Sequence, residues 1–240
     1  MVAISEVDVR VHAVYSFPHV LGAPGIGTTA LHQVRGLIKA GVEVTVICTS
    51  TAVPVPGAEI LQTLRLAGRR IPHRAFLSVQ RAYDYHDAVT ARHLRRHRSA
   101  ADIVHVWPGP ACGPWPPRPP KLPSVREVPS PHTRSAFEQA RAAAAEFGLT
   151  LPITHSHHWD QTVLDREEEE YRAGTALLLP SEYARDTFLE RGFAAERLVR
   201  TQYGFDPQRY RVVPRTPPRT GLTAAFIGRG EPNKGLHLAC

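Results

Sequence analysis

Residues 7–49 read "VDVRVHAVYSFPHVLGAPGIGTTALHQVRGLIKAGVEVTVICT". Alternating apolar and β-branched residues over 7–14 predict a strand. The Gly- and Pro-rich "SFPHVLGAPGIG" (16–27) predicts a loop, and "TTALHQVRGLIKAG" (28–41) a helix, apolar at Leu31, Val34, Leu37 and Ile38 and stopped by Gly41. "VEVTVICT" (42–49) predicts a second strand. Strand, glycine loop, helix and strand make one right-handed βαβ unit of a parallel sheet.

The alternation continues outward. "RAFLSVQRAYDYHDAVTARHLRRH" (74–97) predicts a helix and "ADIVHVW" (101–107) a buried strand. The proline-dense "PGPACGPWPPRPPKLP" (108–123) is incompatible with a helix or a central strand and predicts a surface loop. "SVREV" (124–128) predicts a short strand, "HTRSAFEQARAAAAEFG" (132–148) and "WDQTVLDREEEEYRAG" (159–174) two helices, and "TALLLP" (175–180) another strand. In "SEYARDTFLERG" (181–192), Ser181 is the expected N-cap and Gly192 the stop. "ERLVRTQYGFD" (196–206) predicts a last strand and turn, and the Pro/Arg-rich "RVVPRTPPRTG" (211–221) resembles a linker. The fold class expected is α/β, a Rossmann-like doubly wound parallel sheet.

The 240 residues are 42% hydrophobic, enough for a core. No apolar run of about 18 residues predicts a membrane span, and the N-terminus lacks the pattern of a signal peptide. Three scattered cysteines give neither a disulfide framework nor a thiolate zinc site. The expected location is the cytoplasm. The net charge is +7, with one local basic cluster, "ARHLRRHRS" (91–99), and no organised basic stripe, so no nucleic-acid partner is expected. A basic face can still attract an anionic substrate or make peripheral contact with an acidic membrane surface.

In open parallel sheets ligands bind beyond the carboxyl ends of the strands, next to helix N-termini. "GAPGIGT" (22–28) has that position, and its glycines let backbone approach an anion; a plain strand-to-helix turn fits equally. His105 lies inside a strand, as a hydrogen-bonded core residue or a cleft residue. In "REVPSPHT" (126–133), Glu127 ends a strand and His132 opens a helix. These two can orient a hydroxyl or stabilise a developing cation, or serve as an arginine's ion-pair partner and a helix entry. "THSHHWD" (154–160) carries His155, His157, His158 and Trp159; without zinc spacing it reads as a polar loop lining a cleft, with no metal. In "AFIGRGEPNKG" (225–235), Arg229 follows an expected strand and Lys234 precedes a helix, a good clamp for a diphosphate. Only three of the 29 basic side chains are lysines, and one of them is here.

Four segments, in order, carry a family likeness: "PGIG" (24–27) with "AGVEVTVICT" (40–49); "ADIVHVW"; "LLLPSEYARDTFLERGFAAERLVRTQYGFDPQRY" (177–210); and "FIGRGEPNKGL" (226–236). Together they resemble the family 4 retaining glycosyltransferases, whose GT-B architecture sets two Rossmann-like domains across a cleft. The resemblance implies transfer of a sugar from a nucleotide-diphosphate sugar, the donor substrate, to an acceptor that is a glycan, a lipid or a small molecule, with retained configuration and no cofactor or metal. It implies donor diphosphate contacts at Gly25, Gly27, Arg229 and Lys234, catalytic roles at Glu127 and His132, and a first domain that holds the acceptor, where the cleft residues His105, His155 and Trp159 are the candidates. Residues 1–209 would be the N-terminal, acceptor-side domain, 210–221 the linker, and 222–240 the start of a nucleotide-sugar-binding domain. That family's second domain continues for roughly 100–200 residues. The expectation is therefore a truncated enzyme, inactive alone, whose donor domain comes from further chain or a separate polypeptide. The alternative is a non-catalytic glycan- or acceptor-binding domain.

Overall fold

The computed structural model describes residues 11–66, 69–71, 78–97, 101–108, 122–204, 210, 224–228 and 234–235. Strand β1 (His12–Leu21) leads into helix α1 (Ile26–Lys39), then β2 (Glu43–Thr51) and β3 (Ala58–Gln62). A two-strand hairpin, β4 (Arg65–Leu66) and β5 (Arg69–Arg70), precedes α2 (Val79–Arg96). There follow β6 (Ile103–Val106), β7 (Ser124–Glu127), α3 (Thr133–Ala145), α4 (Gln161–Ala173), β8 (Ala176–Leu179), α5 (Glu182–Leu189) and β9 (Leu198–Arg200).

Seven strands form one parallel sheet in the order β3-β2-β1-β6-β7-β8-β9. This is the doubly wound, Rossmann-like α/β fold expected. The direction of travel reverses between β1 and β6, and right-handed crossovers then place later helices on the opposite face. Tyr15, Phe17, Val44 and Val46 pack with Ala30, Leu31 and Val34 of α1 on one side. On the other, Val14, Ile47 and Val104 pack with Leu94 of α2, and Leu177 and Leu179 with Tyr171 of α4 and Phe188 of α5. The Tyr15 side of β7–β9 is thus left without a helix among the described residues.

Local chemistry explains the helix ends. Ser78, Asp160 and Ser181 each accept a backbone N–H from the first turn of α2, α4 and α5, caps worth about 1 kcal/mol apiece. Gly41, Gly148 and Gly192 adopt positive φ where α1, α3 and α5 stop.

The first strand is displaced from its expected place. Residues 7–10 of the expected 7–14 lie outside the described residues, and the strand runs on through "YSFPHVL" to Leu21. Pro18 is accommodated because β6 pairs only with Ala13 to Ser16, and the register against β2 shifts between Phe17 and Val20. The β3 edge strand and the β4–β5 hairpin were not expected. The strand expected just before Arg229 is not formed over 224–228: Ile227 is 95% exposed, and among the described residues no neighbouring strand completes a ladder. Residues 109–121 of the expected 108–123 loop and nearly all of the expected linker lie outside the described residues. Among the described residues no helix is long and apolar enough to cross a membrane.

Candidate functional site

Register brings three polar side chains onto the α1 side of the sheet. Tyr15 pairs with His105, His105 pairs with Val125, and Glu127, two residues on, shares their face. Glu127 is fully buried. Its carboxylate accepts from His105 Nε2 at 3.1 Å, Gln33 Nε2 at 3.2 Å and Tyr203 Oη at 2.7 Å. Three donors from β6, α1 and the segment after β9 offset the cost of burying the group. The bond from His105 Nε2 fixes a proton on that nitrogen. Trp107 Nε1 donates to Tyr15 Oη at 2.6 Å, and Tyr15 Oη donates to Gln33 Oε1 at 2.5 Å, which leaves the Gln33 amide nitrogen aimed at Glu127. Burial pushes the Tyr15 phenol well above its usual range, against the Trp107 hydrogen bond and with the Glu127 charge. Burial, then the Glu127 charge, pushes up Tyr203. Both phenols stay protonated and act as donors.

Beside this network lies a cavity of about 620 Å³. One flank of α1, running from Thr28 through Gln33 and Gly36 to Ala40, makes one wall. His105 and Leu178 form the floor, and the segment from Thr201 to Gly204, with Tyr210, makes the facing wall. No Lys, Arg, Asp or Glu lines it among the described residues. The α1 N-terminus opens at the same end. Gly25, the N-cap, has φ 82° and no side-chain cap, so the first N–H groups of the helix lack a side-chain acceptor there. Gly27 is needed for packing: a Cβ there would sit 2.5 Å from the Val20 carbonyl oxygen.

Of the residues singled out from sequence, His105 and Glu127 are brought into contact. His132 lies apart from them, fully buried among Tyr171, Phe188 and Phe193. Its Nδ1 accepts from the Arg134 N–H, while Nε2 has no partner among the described residues. Burial pulls its imidazole down to about 4, with Glu168 opposing and nearby arginines adding. His155 accepts from the His157 N–H within its own loop, and Trp159 packs on Phe137 and under Arg134. Neither lines the cavity. No group of three potential metal ligands occurs among the described residues. Lys234 is exposed, and Arg229 lies outside the described residues. Tyr15, Gln33, Trp107 and Tyr203 were not singled out; the one local signal was the place of Tyr203 within the segment 177–210 that carries the family likeness.

The family model described as Glycosyltransferase Family 4 matches residues 23–215, spanning both walls of the cavity. The chain belongs to Glycosyltransferase Family 4. Among solved structures, this family 4 chain is similar to WaaG, a glycosyltransferase involved in lipopolysaccharide biosynthesis, at 14% identity and TM-score 0.54. The match covers 82% of this chain and 46% of that one, so the chain spans just under half of WaaG's length. A UGT transferase from Siraitia grosvenorii, solved in complex with UDP, matches at 12% identity and TM-score 0.46, covering 80% of this chain and 48% of that one. The lipopolysaccharide outer core galactosyltransferase WaaB matches at 13% identity and TM-score 0.38, over 78% and 44%. No curated protein sequence gives a significant match.

Proposed function

We propose that this family 4 chain is the acceptor-side half of a retaining glycosyltransferase, which moves a sugar from a nucleotide-diphosphate donor to an acceptor. The observation that carries the reading is the family match across residues 23–215, which takes in Glu127, its three hydrogen-bond donors and both cavity walls. In this reading residues 1–209 form the acceptor-side domain, 210–221 the linker and 222–240 the opening of the donor-binding domain.

The donor's diphosphate would meet the uncapped α1 N-terminus at Gly25 and Gly27, where oriented N–H groups and the helix dipole favour an anion. Arg229 and Lys234 would neutralise its charge as it leaves. The resemblance implies roles near the transferred sugar for Glu127 and His132; Glu127 belongs to the network beside the cavity, whereas His132 is buried apart from it among Tyr171, Phe188 and Phe193 and would act only if that cluster opened. Glu127 is already held by three donors, which suits a fixed negative charge beside a developing oxocarbenium centre. Acceptor contacts would fall first to His105, which lines the cavity; His155 and Trp159, in the loop between α3 and α4, would meet only an acceptor that extends beyond it. The remaining donor contacts come from a further domain, in the same or a partner polypeptide, and the 240 residues alone turn over sugar nucleotide slowly or not at all.

Donor binding by the whole enzyme, measured by calorimetry with Lys234→Ala, tests the diphosphate assignment. A charged hydrogen bond is worth about 1.5–3 kcal/mol, so affinity should fall at least tenfold. An unchanged affinity removes Lys234 from the site.

A further inference from the structure

We propose that Thr201–Tyr203 is a strap that swings over the sheet and gates the cavity beside α1, with the Tyr203–Glu127 hydrogen bond as its latch. The device works for whichever ligand the cavity takes and stands apart from the glycosyltransferase reading.

The path of the chain makes these residues a strap. β9 is an edge strand, and β8 separates it from β7. Just past β9 the Thr201 N–H donates to the Leu179 carbonyl at 2.8 Å. Two residues on, Tyr203 Oη reaches the carboxylate of Glu127, the last residue of β7, at 2.7 Å. The chain has therefore doubled back from the edge across β8, and Leu178 of β8 lies in the cavity floor. Little else holds it: among the described residues no backbone hydrogen bond involves Gln202, Tyr203 or Gly204. The opposite wall is a complete helix, α1, packed on the sheet through Ala30, Leu31 and Val34. One wall is fixed, and the other is closed by a single side chain.

The energetics leave the strap near balance. Closing it makes a phenol–carboxylate hydrogen bond and buries the Thr201 hydroxyl without a partner among the described residues. A bond to a charged group and an unpaired buried hydroxyl are of similar size and opposite sign. Opening lets water reach the Thr201 hydroxyl and the Tyr203 phenol. Glu127 meanwhile keeps the bonds from His105 Nε2 at 3.1 Å and Gln33 Nε2 at 3.2 Å, so its charge is not stranded. Two states separated by so little leave the minor one populated at roughly 0.1–10%.

Thiol labelling reads the strap directly. Thr201→Cys sets a thiol at the site of the buried hydroxyl, in the full chain carrying Cys112→Ser and Cys240→Ser. The other thiol is then Cys48, fully buried in β2, which reacts when the whole fold opens. Labelling by an aromatic disulfide reagent is followed at increasing urea below the unfolding transition. The proposal expects the new thiol to react at roughly 0.1–10% of a free thiol's rate. That rate should exceed the Cys48 rate and barely respond to urea, while the Cys48 rate climbs with it. Tyr203→Phe keeps the ring and removes the latch, so it should raise the urea-independent rate at least tenfold. Leu178→Cys repeats the reading from the cavity floor and separates strap motion from a disturbance at position 201. New thiols that react only in step with Cys48 show that the strap opens only with the whole fold, which overturns the proposal. So does a labelling rate that Tyr203→Phe leaves unchanged at both positions.

Discussion

Tyr203 Oη donates to Glu127 Oε1 at 2.7 Å across 76 positions of sequence. The bond ties the segment after the last strand of the sheet to a fully buried carboxylate in its middle. Tyr203→Phe should therefore cost about 1.5–3 kcal/mol, the worth of a hydrogen bond to a charged group. Glu127→Gln should cost a comparable amount, and the two should be non-additive by about 0.5–3 kcal/mol. Urea unfolding of the single and double variants checks this; additive effects would mean the contact does not bind the two elements together.

Two glycines of α1 should respond oppositely to alanine. Gly27 lies against the Val20 carbonyl, 2.5 Å from where a Cβ would be, so Gly27→Ala should destabilise by about 1–3 kcal/mol through overpacking. Gly36 has open space around it, and Gly36→Ala should stabilise by about 0.5–1 kcal/mol through helix propensity. Thermal unfolding of both variants decides; a lowered Tm for Gly36→Ala contradicts the open-wall geometry.

On the far face of β7, Arg126 pairs with Glu170 of α4, both nearly inaccessible, and the guanidinium sits 5.0 Å from the Tyr171 ring centroid. Removing one partner leaves a buried uncompensated charge, so Arg126→Met should cost about 3–5 kcal/mol. Arg126→Met combined with Glu170→Leu should recover most of that loss. A double variant as unstable as the single one would show that packing, not charge, sets the cost.

Two groups of α2, the buried His86 and the half-buried Asp87, give stability opposite pH dependences. Burial, with the His19 charge adding, pulls the His86 imidazole down to about 3, where Ser16 and Thr63 hold it neutral. Its unfolded value is about 6.5, so the unfolded chain takes up the proton first. Its contribution is present above about pH 6.5 and lost as pH falls towards 3, at most about 1.4 kcal/mol per unit. Asp87 is pushed up to about 7 by burial, with Asp84 adding and Arg126 opposing. The stability it supports is present below about pH 4 and lost as pH rises to 7. Asp87→Asn should gain stability over the native chain progressively between those values and hold a constant advantage above 7. Denaturant midpoints across pH 4–8 measure the difference; a flat difference contradicts the assignment.

The βαβ opening, the Ser181 cap and the glycine stops were legible because each rests on neighbours within one turn or one strand. The first strand slipped because Pro18 and Gly22 read as loop residues, while the shortness of β6, which makes Pro18 tolerable, is set 85 positions away. The site divides in the same way. Glu127 and His105 stood out because they lie at or near strand ends, where such sheets bind ligands. Gln33 reads as a polar position on a helix flank and Tyr203 as part of a turn. Only the strand order, which sets β6 and β7 beside β1, brings both to the same carboxylate.

The most direct measurement is the anomeric configuration of the product formed when the whole enzyme, this chain together with its donor-binding domain, is supplied with nucleotide-diphosphate sugars, read by NMR as the bond forms. The account predicts transfer to an acceptor with the donor's configuration retained. An inverted product, or no transfer from any donor, contradicts it.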